Sequence, residues 1–174
     1  AKISHLTVSL QRPDDGAILL NGRFSPFIAA RTKTQRTASS MSFYRLFYHF
    51  VWGTKERLPL IEPGFERELY RVMVSKVVEF EGIVHALGGT QDHVHLAATF
   101  PPKYSISRFI GEVKGSGSHY INHVIEPGFL FRWQEEYGVL SFAEKNLPAI
   151  VRYINNQKKH HAEGSLQPML ELAP

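Results

Sequence analysis

The 174-residue chain has no cysteine, which excludes disulfides, thiolate nucleophiles and thiolate zinc sites. Any metal centre must therefore use nitrogen and oxygen ligands, and the absence fits a reducing cytoplasm. Nor does any apolar run approach the roughly 18 residues that a membrane-spanning helix needs. A surplus of one charge is also missing from most of the chain. Lys and Arg number 20 against 16 Asp and Glu, but residues 1–40 hold six of the basic residues and only two of the acidic ones. The remaining 14 basic and 14 acidic residues cancel. A nucleic-acid partner thus cannot be read from the pI and needs locally arranged charge. The hydrophobic fraction of 43% and charged fraction of 21% are those of a globular protein, and the length suits one domain with a substantial core.

Residues 1–40 show no sustained period. Arg31 to Ser40 is polar and basic, a composition that favours disorder, although Ile18-Leu19-Leu20 can form a short strand before an Asn21-Gly22 turn. No continuous hydrophobic stretch marks a signal peptide. We read residues 1–40 as a basic, poorly ordered N-terminal extension, 41–163 as the domain, and 164–174 as a tail with little pattern.

From Phe43 to Trp52 the sequence reads as an aromatic-rich strand, with Tyr44, Leu46, Tyr48, Phe50 and Trp52 on one face. Apolar residues from Phe65 to Phe80 follow helical spacing after Pro63, and Gly82 stops that helix. Ile83–Leu87 is a second strand; Gly88 to Asp92 turns the chain into a third, which Pro101-Pro102 ends. A second long helix runs from Ser105 to about Ile125, capped by Ser105 or Ser107. Lys114-Gly115-Ser116-Gly117-Ser118 predicts a break or bend within it. Phe129–Trp133 and, better, Tyr137–Phe142 are strand candidates. Leu147 to about His161 is a last helix, with Asn146 as its cap and Pro148 in its first turn. The order β-α-β-β-α-β plus a C-terminal helix is that of a ferredoxin-like α+β domain, an antiparallel sheet with its two main helices on one face.

The third strand carries Asp92-His93-Val94-His95-Leu96. Alternation puts His93, His95, Ala97 and Thr99 on one face and Val94, Leu96, Ala98 and Phe100 on the other. Two imidazoles held the same way on a rigid element suit the first two ligands of a metal. In the last helix, Leu147, Ile150, Val151 and Ile154 form the apolar stripe, while Tyr153, Asn156, Gln157 and His160 recur on a polar face. Tyr153 and Gln157 are one turn apart and point together. The amide oxygen of Gln157 can serve as a third ligand beside two neutral imidazoles, leaving positions open for a phosphate oxygen and water.

Several ordered pieces together resemble a known family. They are Tyr48-His-Phe-Val-Trp-Gly-Thr-Lys, Asp92-His-Val-His-Leu, Ser105-Ile-Ser-Arg-Phe-Ile-Gly-Glu-Val-Lys-Gly, Trp133-Gln-Glu-Glu-Tyr-Gly-Val-Leu-Ser and Tyr153-Ile-Asn-Asn-Gln-Lys-Lys-His-His. From about Phe43 to His161 the chain is similar to the single-tyrosine HUH transposases of the insertion-sequence-200-like group, including their REP-associated relatives. The resemblance implies a cytoplasmic, nucleoid-associated nuclease and strand-transferase acting on single-stranded DNA that contains hairpins. His93, His95 and Gln157 would be its metal ligands, Tyr153 its nucleophile, and Mg²⁺ or Mn²⁺ its cofactor. Attack by Tyr153 would give a 5′-phosphotyrosine link and a free 3′ hydroxyl. It also implies either a monomer or a homodimer, with segment 138–146 as the place where copies would exchange the last helix.

Lys103, Arg108, Lys114, Arg152, Lys158 and Lys159 are candidates for phosphate contacts, and Tyr104, Tyr120 and Trp133 for base stacking, Trp133 being better suited to the core. His49, His85, His119 and His123 read as structural or surface groups, and His160 as a distant assistant of the site. Two rivals stand beside the transposase reading. One is a domesticated or inactive relative that only binds nucleic acid; the other is an unrelated HxH metal hydrolase, in which Tyr153 has no role.

Overall fold

The computed structural model describes residues 43–172. The expected N-terminal extension, with its Ile18–Leu20 strand, lies outside the described residues. Strands β1 (Phe47–Gly53), β2 (Ile83–Gly89), β3 (His93–Thr99) and β4 (Gly138–Phe142) form one antiparallel sheet in the order β2-β3-β1-β4. Helices α1 (Glu66–Glu79) and α2 (Ile106–Tyr120) cover one face, giving the ferredoxin-like α+β arrangement. Two shorter helices, α3 (Leu147–Asn155) and α4 (Gln157–Glu163), follow β4.

Alternation on β3 divides the protein into two layers. Val94, Leu96 and Ala98 join Phe50, Trp52, Leu69, Phe109 and Val113 in the main core between sheet and long helices. Ala97 instead meets Ala86, Ile150 and Ile154, so α3 packs on the opposite face. His93 and His95 share the face of Ala97, and both are buried. Phe100 stacks on Phe109 with ring centroids 4.0 Å apart, tying the end of β3 to α2. Burying these large side chains at about 25 cal/mol per Å² of apolar surface supplies most of the driving force for the main layer.

Several local expectations are corrected. The first strand starts at Phe47 rather than Phe43, because Phe43 and Tyr44 are exposed and pair with nothing in the sheet. Helix α2 runs unbroken through Lys114–Ser118; its buried stripe against α1 outweighs the poor propensity, and the irregularity falls later, as a π-turn over Ile121–Ile125. Residues 129–133 are not a strand: Trp133 alone makes a bridge, to Thr54, while its indole N–H donates to the Lys114 carbonyl. Asn146 makes no side-chain cap. The helix expected over 147–161 is two helices, interrupted at Asn156 (φ −108°, ψ 20°). Residues 138–142 of the segment expected to permit exchange are paired with β1.

Gly88 sets how closely α3 sits on the sheet. A Cβ there would lie 2.7 Å from the Ile154 carbonyl oxygen, a backbone atom with no freedom to yield. We expect Gly88→Ala to destabilise the protein by about 1–3 kcal/mol through this overpacking, measured by urea denaturation. Hydrogen exchange in α3 should accelerate selectively; an α3 as well protected as in the parent protein would contradict this account of its docking.

Candidate metal centre and tyrosine

Asp92 ends the turn before β3 and is held on three sides. The Thr54 backbone N–H and side-chain hydroxyl donate to its carbonyl at 2.8 and 3.1 Å, and Arg57 lies 3.9 Å from its carboxylate. The loop that supplies these groups carries two consecutive non-glycine residues in the left-handed region, Glu56 (φ 56°) and Arg57 (φ 55°). Such strain persists only where the surroundings over-determine it. The Asp92 carboxylate in turn accepts from Thr90 and lies 2.7 Å from His93 Nδ1. Its pKa falls below the usual carboxylate range through the hydrogen bond from His93. A carboxylate bonded at Nδ1 fixes the ring and turns Nε2 inward.

His95 is oriented by a second histidine. His49, on β1, is 2% exposed and places Nε2 3.0 Å from His95 Nδ1. One of the facing nitrogens must carry the proton, and with it on His95 Nδ1 the lone pair of Nε2 points into the site. That Nε2 is buried and has no hydrogen-bond partner. His49, expected as a structural or surface group, is buried and touches the site directly. Burial pushes the His49 pKa down to about 3 and that of His95 to about 4, so both rings are neutral near pH 7.

The interruption at Asn156 does not separate Tyr153 from Gln157. Both are buried, at 2% and 1% exposure, and both face the histidines. Gln157 Oε1 is 3.4 Å from His93 Nε2, and the Tyr153 ring meets the His95 ring edge-on with centroids 6.1 Å apart. His160, expected at a distance, stacks on Tyr153 at 4.7 Å, and the His161 ring lies 4.7 Å from that of His93.

Sequence reasoning missed Glu171, in the tail that carried no pattern. Its carboxylate accepts from the Tyr153 hydroxyl and from Gln157 Nε2, and one oxygen lies 3.3 Å from His95 Nε2 and 3.6 Å from His93 Nε2. The histidine and tyrosine contacts hold its pKa down, to about 2, against the opposing effect of burial. Burial and the bond to Glu171 raise that of Tyr153. No local signal in the sequence identifies this residue.

The donor set fits a divalent cation. Gln157 Oε1 and a Glu171 oxygen lie 3.4 and 3.6 Å from His93 Nε2, the same Glu171 oxygen lies 3.3 Å from His95 Nε2, and His93, His161 and Glu171 offer ligand atoms within 4.8 Å of one another. Nitrogen-and-oxygen sites of this kind suit Mn²⁺ and tolerate Mg²⁺.

The basic candidates divide between the layers. Arg152, Lys158 and Lys159 lie on α3 and α4, beside the site, with Lys158 paired to Glu66 at 2.6 Å. Lys103, in the turn before α2, and Arg108, in its first turn, lie on the opposite layer; Lys103 pairs with Glu81, and Arg108 sits over the Phe80 and Tyr104 rings. Lys114 is corrected outright as a phosphate contact. It is buried, and its ammonium donates to the carbonyls of Gln134, Glu135 and Glu136 at 2.6, 2.9 and 3.1 Å. A cleft of about 570 Å³ opens between Arg57, Lys158, Asp92 and His161; its lining reaches Asp92 and His161 but not His93, His95, Tyr153 or Gln157.

Residues 42–157 match the family model described as transposase, IS200-like. Two solved structures share the fold. One, a candidate transposase from Deinococcus radiodurans R1, is 24% identical, with a TM-score of 0.54 over 71% of this chain and 98% of that one. The other, a REP-associated tyrosine transposase bound to a REP hairpin, is 18% identical, with a TM-score of 0.53 over 72% of this chain and 76% of that one. No curated protein matches the chain significantly.

The buried histidines give a pH prediction. His49 and His95 titrate below the ordinary value of 6.5, so the unfolded chain takes up protons first as pH falls. Their contribution is complete above about pH 6.5 and is lost progressively towards pH 4. Each removes up to about 1.4 kcal/mol per pH unit. Asp92 and Glu171 add the same sign, only below pH 4.5. Denaturation in EDTA at pH 6.5, 5.5 and 5.0 should show falling stability; a flat profile over that interval would refute the neutral pair.

Proposed function

The chain belongs to the IS200-like transposase family, and from that premise we propose that it is a metal-dependent endonuclease and strand-transferase for single-stranded DNA. Its nucleophile is Tyr153; its metal ligands include His93, His95 and Gln157. The observation that carries this reading is the convergence of Tyr153 and Gln157 on the two inward-facing histidines. A binding-only relative has no use for an unpartnered, buried imidazole nitrogen beside a buried tyrosine. An unrelated metal hydrolase gives no reason for Tyr153 to be there.

The chemistry assigns each group a task. Asp92 and His49 orient the two imidazoles, and Gln157 offers its carbonyl oxygen to the same point. A divalent cation held there would polarise a non-bridging phosphate oxygen and offset the charge building on phosphorus. The Tyr153 oxygen attacks phosphorus and the bond from phosphorus to the 3′ oxygen breaks. The phenol proton is lost to solvent, the 3′ oxygen takes one up, and the 5′ phosphate stays on the tyrosine. The link keeps the energy of a phosphodiester, so another 3′ hydroxyl can reverse the step without ATP. With Glu171 in place Tyr153 holds its proton, since burial and Glu171 oppose ionisation. The Gln167 backbone N–H donates to its hydroxyl at 3.1 Å, so DNA can reach the tyrosine only once the segment around 167–171 moves aside.

DNA entry through the cleft between Arg57 and Lys158 brings cations to the phosphates next to the site. A hairpin-containing strand is the favoured substrate, because the REP-associated relative of the same fold is bound to a hairpin. The chain acts as a monomer or a homodimer, which sedimentation of the purified protein distinguishes.

The test is a labelled hairpin with a single-stranded flank, incubated with Mn²⁺ or Mg²⁺ and resolved for a covalent adduct. We expect Tyr153→Phe to abolish the adduct. His93→Ala or His95→Ala should lower cleavage on the order of 10²–10³-fold or more, the scale of removing a preorganised electrostatic group. An adduct surviving Tyr153→Phe would exclude this nucleophile, and full activity of His93→Ala would exclude the metal site.

A further inference from the structure

Glu171 reaches the site because the chain on either side of it is anchored. Leu170 packs on the cluster of Ala86, Ala97, Ile150 and Ile154. On the other side, the Leu172 carbonyl oxygen lies over Gly138, where a Cβ would be only 1.7 Å from it. The tail can occupy this position only because residue 138 has no side chain. Two residues pinned in this way direct the intervening carboxylate at the two histidines, and its side chain is only 16% exposed.

We propose that Glu171 is itself a ligand of the divalent cation and, among the described residues, the ligand that carries negative charge. This rests on the metal-site reading above and adds a residue to it. Three arguments lead here. The histidines and Gln157 are uncharged ligands, whereas Mg²⁺ and Mn²⁺ favour carboxylate oxygen, and a dication in a buried site needs an opposite charge to offset its desolvation. Asp92 cannot supply it, because its carboxylate bonds the far nitrogen of His93. The spacing also fits. Ligand atoms at right angles around an ion at about 2.1 Å stand roughly 3 Å apart; the Glu171 oxygen is 3.3 Å from His95 Nε2 and 3.6 Å from His93 Nε2, and Gln157 Oε1 is 3.4 Å from His93 Nε2. Finally, His95 Nε2 lies 3.3 Å from this oxygen, close enough for one ion to take both atoms as ligands.

The bound cation therefore fastens the tail, and the anionic phosphate of an incoming strand competes with Glu171 for the same charge. The test uses the full chain without DNA. Mn²⁺ binding is measured by calorimetry and by the electron paramagnetic resonance of free Mn²⁺, for the parent protein, Glu171→Gln and His95→Ala. Glu171→Gln keeps the side-chain shape and a hydrogen bond to Tyr153, and should weaken Mn²⁺ by about tenfold or more. Backbone hydrogen exchange over residues 166–172 should slow on adding Mn²⁺ to the parent protein but not to Glu171→Gln. Unchanged or tighter Mn²⁺ binding by Glu171→Gln, with binding lost in His95→Ala, would overturn the Glu171 assignment and leave the metal site standing. Exchange that accelerates with Mn²⁺ would likewise overturn it, making Glu171 a plug that the ion expels. Binding unchanged in both variants would overturn the metal site itself.

Discussion

The pairing of His49 with His95 inside the sheet is the constraint around which the functional layer is arranged. A buried imidazole must be hydrogen-bonded or it costs free energy, and these two rings satisfy each other across β1 and β3 at 3.0 Å. That leaves one nitrogen of His95 without a partner. To bury such a pair, the sheet needs a cover on the face away from α1 and α2, and α3 provides it, brought close by the bare backbone at Gly88. The same packing that hides the histidines delivers Tyr153 to them.

Two layers thus divide two tasks. Between the sheet and the long helices, aromatic and aliphatic side chains supply stability, and even a lysine serves structure there: Lys114 binds three consecutive carbonyls and fixes the chain leading into β4. On the other side, polar groups are buried in chains of contact. Thr54 and Arg57 hold Asp92, Asp92 holds His93, and His49 holds His95. The strained backbone at Glu56 and Arg57 belongs to this second system, where position of a few atoms counts for more than local comfort.

Much of this was legible in the sequence because it depends on period. Alternation along β3 separates His93 and His95 from Val94 and Leu96 whatever the partners are, and the order of elements gives the ferredoxin-like topology. Helical spacing brings Tyr153 near Gln157, and the spacing survives the interruption at Asn156 because the intervening turn keeps both side chains on the side facing the sheet. Propensity was a poorer guide: Gly115 and Gly117 read as a break, yet α2 continues, since burial against α1 outweighs the local cost. Charge was poorer still. Lys103, Arg108 and Lys114 are a basic series on paper, but which layer a helix joins decides what its cations face.

The sequence by itself determined which residues share a strand face or a helix face, and hence the pair of histidines and the tyrosine with its glutamine. Only the tertiary structure decided which other residues meet them. His49 lies 46 residues before His95 and joins it through strand register; Glu171 lies 18 residues beyond Tyr153 and arrives through a tail laid across Gly138. Neither contact has a local period to reveal it, because each is set by long-range packing rather than by the repeat of a single element.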